Sequence, residues 1–334
     1  MRAAPHDNVV YILGAGFSAQ FGLPVMSNFL EKARDIVALR NIETRRINEL
    51  KINLDNFETV FRNIETLRRC KDYYNADFLN IEEILSLLDM GELVGSQTEG
   101  EQSKIFRNFI ADVIKYYTVD EPPYSQEKNT YSLLLPFLKY LFRVDCEPGE
   151  LTRNVRSDVP FYSILTFNYD NVLENALGIL NYECQFDQLS FSNSYNKKGK
   201  KVPLIKIHGD VCSPASIVAP TWRKKFEPEQ SGFSAWKTAG EILREANHIR
   251  IIGYSLPDTD SYLKYFLKWG AAHEQNLKSI DVICLDDSAS SVENRYKKFI
   301  ISSRLSFFNK STEDYLSFIE EAGDLEAAHE KLFS

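Results

Sequence analysis

The stretch Val9–Pro24, VVYILGAGFSAQFGLP, decides how the rest of the chain is read. Val9, Val10, Tyr11, Ile12 and Leu13 form a short, unbroken apolar run, as expected of a strand covered on both faces. Gly14-Ala15-Gly16 interrupts the strand, and Phe17–Phe21 can open a helix. Backbone without side chains turns tightly and lets a ligand approach closely. Unpaired N–H groups at the helix start would face a pyrophosphate, whose charge the helix dipole favours, and Ser18 adds a hydroxyl there. With Ala19 the run satisfies the dinucleotide fingerprint G-x-G-x-x-[G/A]. On this stretch alone a second reading stays open, because such corners also arise for packing. A dehydrogenase needs a second strand ending in an acid about 20 residues on. Glu31 and Asp35 fall there, but NFLEKARDIVALR reads as helix, so the dehydrogenase reading loses ground.

A chain of 334 residues can bury a large core, and 44% hydrophobic with 26% charged residues describes a globular protein. The net charge of -8 argues against broad nucleic-acid binding. The one basic run, Lys197–Lys201, sits in SNSYNKKGKK, which has the composition of a solvated turn. The five cysteines are scattered with no C-x-x-C pair, giving neither a zinc ribbon nor a disulfide framework. The apolar N-terminal run is too short for a signal peptide and Asp7 stands just ahead of it. No segment is long enough to span a bilayer. A cytoplasmic location is expected, with no membrane contact and no direct nucleic-acid binding.

After the opening corner the pattern is helical. Ser27 or Asn28 can cap a helix running toward Arg40. Leu54, Phe57, Phe61 and Ile64 keep helical spacing, as do Ile81, Ile84, Leu85 and Leu88, then Ile105–Ile114, then Tyr131–Phe142. These stripes read as helix-bundle core. Gly91–Ser103 and Val119–Asn129 read as loops. From Phe161 short apolar runs alternate with helical patterns: Tyr162–Thr166, Leu204–Ile207, His248–Ile252, Ile280–Leu285 and Leu305–Phe308. That alternation implies a parallel sheet covered on both faces, whose ligands sit outside the carboxyl ends of the strands. Five strand ends carry chemical content: Gly14-Ala15-Gly16, Thr166–Asp170, His208-Gly209-Asp210, Gly253-Tyr254-Ser255 and Asp286-Asp287. Each alone has a structural explanation, such as helix capping by Asn168 or Asp170. Together they point to a site.

GAGFS at Gly14–Ser18, TFNYD at Thr166–Asp170, KIHGD at Lys206–Asp210 and IIGYSLPDTD at Ile251–Asp260 make the chain resemble the Sir2 (sirtuin-like) family. The resemblance covers Asn8–Leu23 and Phe161–Phe308. It implies a Rossmann-like parallel sheet of Sir2 type, formed by residues 1–30 and 155–334, with a large helical insertion at 31–154. The four-cysteine zinc ribbon and the Pro-Asp-Phe-Arg segment of the deacetylases are missing, and the opening helix is followed by Leu23-Pro24-Val25-Met26-Ser27. GFS at Gly16–Ser18, TFNYD and GYSLPDTD at Gly253–Asp260 look instead like the bacterial Sir2-like NAD hydrolases of antiphage defence, and the chain resembles the stand-alone kind that works beside a HerA-type ATPase. Phe167 and Tyr169 stand where sirtuins carry Gln and Ile, implying a nicotinamide pocket of different shape.

The resemblance implies NAD+ as substrate, no metal, and cleavage of the nicotinamide–ribose bond to nicotinamide and ADP-ribose. The pyridinium leaves without protonation, through an oxocarbenium-like transition state. Gly14, Ala15, Gly16 and Ser18 would hold the pyrophosphate, and Asn168 would orient water or a ribose hydroxyl. His208 would be the general base, since imidazole ordinarily titrates near pH 6.5. Asp170 would bind the carboxamide, while Thr166, Gly253, Tyr254 and Ser255 would line the ribose and phosphate side. Asp286 would bind the adenosine ribose or, equally, cap the next helix. Such an enzyme is expected to be gated by assembly as a homo-oligomer or by a partner, with Gly91–Ser103 and Val119–Asn129 as candidate gating loops. The rival readings are a regulatory NAD or ADP-ribose sensor without turnover, an NAD-dependent deacylase, and a structural subunit with a vestigial site.

Overall fold

The run at Val9–Leu13 forms strand β1 (Asn8–Leu13), buried from Val9 onward at the middle of a seven-stranded sheet. The structure, a computed structural model, describes residues 2–68, 77–95, 97–118, 130–144, 160–184, 189–197, 201–218, 231–257, 260–272, 276–286 and 290–333. After β1 come the short helix α1 (Ala15–Ala19), then α2 (Phe29–Ala38), α3 (Thr44–Glu49), α4 (Leu54–Arg68), α5 (Ile81–Val94), α6 (Gln97–Tyr117) and α7 (Leu134–Leu141). Strands and helices then alternate. They are β2 (Phe161–Thr166), α8 (Val172–Glu183), β3 (Phe191–Ser192), β4 (Val202–Lys206), α9 (Ser231–Arg244), β5 (His248–Ile252) and α10 (Ser261–Ala272). The last are β6 (Ser279–Ile283), α11 (Ser291–Phe299), β7 (Leu305–Phe308), α12 (Thr312–Ala322) and α13 (Leu325–Glu330).

The strand order is β3-β4-β2-β1-β5-β6-β7 and every neighbouring pair is parallel. The chain builds outward from β1 to one side, then returns to place β5 on the other. The order therefore reverses at β1/β5, the kind of position where open α/β sheets bind ligands. Alternate side chains of β1 serve opposite faces. Val9, Tyr11 and Leu13 join an apolar cluster with residues of α2, α4–α8, α12 and α13, whereas Val10 and Ile12 join a second cluster with residues of α9–α11. The helices between β1 and β2 share the first cluster, with Phe137 of α7 edge-on to Tyr11 at 5.2 Å between ring centroids.

Several expectations are corrected. The segment Gly91–Ser103 is almost wholly helical: α5 runs to Val94 and α6 starts at Gln97. Its Ser, Gln, Thr and Gly residues favour a turn locally, but packing of α5 on α6 overrides that propensity. Val119–Asn129 lies outside the described residues. The first helix is only the five residues Ala15–Ala19, and the next ends at Ala38 rather than Arg40. Asn28 does not cap it with its side chain; Asn28 Oδ1 instead accepts the Val25 N–H at 2.9 Å. α3, α9, α13 and β3 carry no expectation above, although Trp236, Ala239, Ile242 and Leu243 held the amphipathic signal for α9. Cys212 and Cys284 are free, but Cys184 is disulfide-bonded. Scattered spacing hid that pairing.

A polar network lies on the sheet face beneath α12 and α13. Arg250 of β5 is fully buried and donates to Tyr11 Oη (2.9 Å) and to Glu326 of α13 (2.6 Å). Glu326 also accepts from Ala3 N (2.8 Å) and Tyr162 Oη (3.1 Å). His329 and Asp281, both fully buried, share a hydrogen bond of 3.0 Å. Burial, then the Arg250 charge, pushes His329 down to about 4, with Asp281 offsetting part of it. Burial opposes the charge of Asp281, but the His329 hydrogen bond and charge outweigh it and hold Asp281 low. For Glu326 burial is likewise outweighed, by Arg250.

All three groups resist protonation in the folded state. Their contribution is complete above the ordinary histidine value near 6.5 and is lost as pH falls, first through His329 and then through the carboxylates. The thermal midpoint should therefore drop between pH 7 and pH 4 and change little between pH 7 and pH 8. A flat profile from pH 7 to 4 contradicts this account.

Candidate active site at the carboxyl ends of the strands

The corner after β1 is built by backbone packing. The Gly14 N–H donates to the Ile252 carbonyl at 3.0 Å and the Gly16 N–H to the Gly253 carbonyl at 2.8 Å. A Cβ on Gly16 would lie 2.9 Å from that carbonyl oxygen. Gly253, at φ +64°, has no room either, since its Cβ would sit 2.2 Å from Phe17 N. The ends of β1 and β5 thus interlock, and the packing explanation of these glycines holds. Two of the N–H groups expected to face a pyrophosphate are already bonded, and α1 is too short for much of a dipole.

Beside this corner opens a cavity of about 490 Å³, within the range of small-molecule sites. Of the residues singled out from the sequence, Ala15, Gly16, Ser18, Asn168, Asp170, His208, Gly253, Tyr254 and Ser255 line it. Gly14, Thr166 and Asp286 do not. Gly14 and Thr166 act from behind: Asn168 Nδ2 donates to the Gly14 carbonyl (2.8 Å), and Thr166 Oγ1 accepts the Asn168 N–H (3.1 Å). Asp286 Oδ2 accepts the Glu293 N–H in the first turn of α11 at 3.0 Å. Its carboxylate serves the helix. Asp287 lies outside the described residues.

Asn168, Ser18 and Asp170 form a chain of hydrogen bonds. Asn168 Nδ2 donates to Ser18 Oγ at 2.9 Å, and the Ser18 hydroxyl bonds to the Asp170 carboxylate. With its amide protons directed at Gly14 and Ser18, Asn168 offers the cavity its carbonyl oxygen, an acceptor. Asp170 Oδ1 accepts the Val172 N–H at the start of α8 (3.1 Å). Burial pushes the Asp170 carboxyl up, while Ser18, the Val172 N–H and the Lys206 charge pull the other way. Lys206 Nζ bonds the Asp170 carbonyl (2.6 Å), Asp210 (2.8 Å) and Glu174 (2.8 Å), tying the β4 end to the β2 end.

His208, 2% exposed, is held among aromatic rings. Phe167 stacks on it at 5.6 Å, with Tyr169 at 6.3 Å and Trp236 at 6.4 Å between centroids. Trp236 Nε1 donates to the Ile207 carbonyl (3.1 Å), fixing the turn that carries the imidazole. Tyr254 packs edge-on to Phe167 at 4.8 Å and donates to Asp260 at 2.8 Å. Burial, then the Asp260 charge, pushes its phenol far up, so it stays a donor.

Other lining residues carry no mark in their local sequence. Asn80, Ile81 and Glu82 at the start of α5, and Ile114 of α6, close one wall, and only packing puts them there. Arg107 of α6 anchors that wall through its ion pair with Asp89 (2.7 Å) and its bond to the Ile217 carbonyl (2.8 Å). Lys310, Ser311 and Thr312 complete the rim beyond β7, with Thr312 Oγ1 donating to the Gly16 carbonyl at 3.2 Å. Here a signal existed: Ser311 and Asp314 form a capping box at a strand-to-helix junction.

Fold and site together define a doubly wound α/β protein with a ligand cavity at the carboxyl rim of its sheet. Residues 162–302 match the SIR2-like domain family, a span that includes Asn168, Asp170 and His208 but not the Gly14–Ser18 corner, and that is under half of the chain. Among solved structures, a crystal structure of Sir2 in complex with an inhibitor, 2'-O-acetyl-ADP-ribose and a deacetylated p53 peptide is similar. The identity is 11%, the TM-score 0.37, and the alignment covers 95% of this chain and 94% of that one. No curated protein matches the sequence. Among the described residues no His, Cys, Asp and Glu group could hold a metal ion, and no helix is long and apolar enough to cross a membrane.

Proposed function

We propose that the chain hydrolyses NAD+ to nicotinamide and ADP-ribose. The observation that carries this reading is the meeting of Asn168, Asp170 and His208 with the β1 corner on one cavity, in a chain whose residues 162–302 match the SIR2-like domain. Water adds its oxygen to the anomeric carbon of the nicotinamide ribose. The carbon–nitrogen bond breaks, its electron pair neutralises the pyridinium, and the proton of the water is released by way of His208. The Asn168 carbonyl oxygen accepts from the water or from a ribose hydroxyl. The acids Glu82, Asp170 and Asp260 on the wall favour the cationic ring and the positive charge that develops on the sugar.

One wall belongs to α5 and α6, so a shift of these helices would open or close the cavity. The reading therefore includes control by assembly, as a homo-oligomer or with a HerA-type ATPase, and depletion of NAD+ as an antiphage response in the cytoplasm. The test is product analysis of the purified chain with NAD+, alone and with a candidate ATPase. Equal release of nicotinamide and ADP-ribose is expected, reduced about a hundredfold or more by Asn168→Ala. Binding of NAD+ without turnover in every assembly state would move the chain to the sensor reading. Turnover that requires an acylated peptide would make it a deacylase.

A further inference from the structure

We propose that the adenosine end of this cavity accepts a 2'-phosphate, so that the chain cleaves NADP+ at least as well as NAD+, with Lys310 pairing with that phosphate. The proposal rests on the function above. Along the sheet the rim runs from β4 and β2, which carry His208 and Asn168, across β1 to β7 and Lys310. Four strand spacings separate β2 from β7, about 19 Å. With nicotinamide at His208, the far end of an extended dinucleotide lies toward β6 and β7.

In dinucleotide sites generally, an acid that bonds the adenosine ribose 2'-hydroxyl favours NAD, and a cation near that hydroxyl accommodates the 2'-phosphate of NADP. The acid at the β6 end, Asp286, is off the cavity and bonded to the Glu293 N–H and, at 3.5 Å, to Ser291 Oγ. The acids that do line the cavity belong elsewhere. Asp260 is bonded to Tyr254, Asp170 to Val172, and Glu82 acts electrostatically on Tyr169 and Tyr254.

Lys310 is the sole Lys or Arg among the described lining residues. Its ammonium lies 6.0 Å from the Phe318 ring centroid and makes no ion pair among the described residues. Its charge acts on the nearby Asp314, whose carboxylate accepts the Ser311 N–H at 2.9 Å, but the two form no direct ion pair. Ser311 adds a hydroxyl on the same rim. Arg295 of α11 donates to the carbonyl of Ser255, another lining residue, at 3.0 Å. A phosphate ester finds a cation there, whereas among the described residues that line this end of the cavity, Lys310, Ser311 and Thr312, a bare ribose hydroxyl finds no acid.

The experiment measures kcat/KM for NAD+ and NADP+ with the full chain and its Lys310→Gln and Lys310→Glu variants. Alongside, calorimetry compares binding of ADP-ribose and 2'-phospho-ADP-ribose. The expected result is an NADP+/NAD+ ratio of about one or more, falling about tenfold in Lys310→Gln and further in Lys310→Glu. The phosphorylated product should bind tighter than ADP-ribose only when Lys310 is present. A wild-type preference for NAD+ of tenfold or more, or an equal loss of both substrates in the variants, overturns the proposal. The second outcome would assign Lys310 to the shared diphosphate. If neither nucleotide is cleaved, the proposed function fails, and the calorimetric comparison still decides the 2'-phosphate site.

Discussion

Replacing His208 with alanine is expected to lower NAD+ cleavage by about 10²–10⁴-fold, the usual contribution of a positioned acid–base group. The buried imidazole packs against Phe167, Tyr169 and Trp236, and its turn is pinned by the Trp236–Ile207 bond. Its position is thus set before substrate arrives. Because the ring is buried, His208→Ala also removes packing, so His208→Gln is needed beside it. Glutamine keeps much of the volume but cannot exchange a proton near neutral pH. Both variants should lose turnover while retaining the wild-type circular dichroism spectrum and ADP-ribose binding within a few-fold. Turnover in His208→Gln within tenfold of wild type would remove His208 from the reaction.

The second large effect concerns stability. Glu326→Ala should destabilise the fold by about 3–5 kcal/mol, the usual result of leaving a buried charge without its partner. Arg250 is fully buried and Glu326 is 3% exposed, so water cannot replace the lost carboxylate. The same carboxylate accepts Ala3 N and Tyr162 Oη, and these donors would be stranded too. Urea unfolding at pH 7 measures the loss. The double variant Arg250→Met, Glu326→Leu removes both charges and should recover much of it. A loss below about 1 kcal/mol in Glu326→Ala would mean that the interior around Arg250 admits water.

Local sequence was informative wherever one strand or one strand end decided the outcome. The apolar runs at Val9–Leu13, Tyr162–Thr166 and His248–Ile252 are strands, and so is Ile280–Leu285 as far as Ile283, all of them parallel. It misled where neighbours decide. Gly91–Ser103 has turn composition yet is helical because α5 and α6 pack on each other. The GAG corner carries a phosphate-binding fingerprint, and only the structure shows that the Gly14 N–H bonds Ile252 at the end of β5 and the Gly16 N–H bonds Gly253 just beyond it. Asp286 ends a strand, but its carboxylate turns to α11.

By itself, then, the sequence determined the parallel sheet and the rim on which Asn168, Asp170 and His208 stand. Strand period and buried runs are written in consecutive residues, and parallel strands bring their carboxyl ends to one side. The tertiary structure alone decided which polar atoms remain for a ligand and what closes the cavity. Asn80, Glu82 and Lys310 reach it from elements far apart in the chain. Arg250 and Glu326 meet across 76 residues, and Tyr11 and Arg250 across 239. Such contacts follow from the order of strands and the packing of helices over them, which no local pattern encodes.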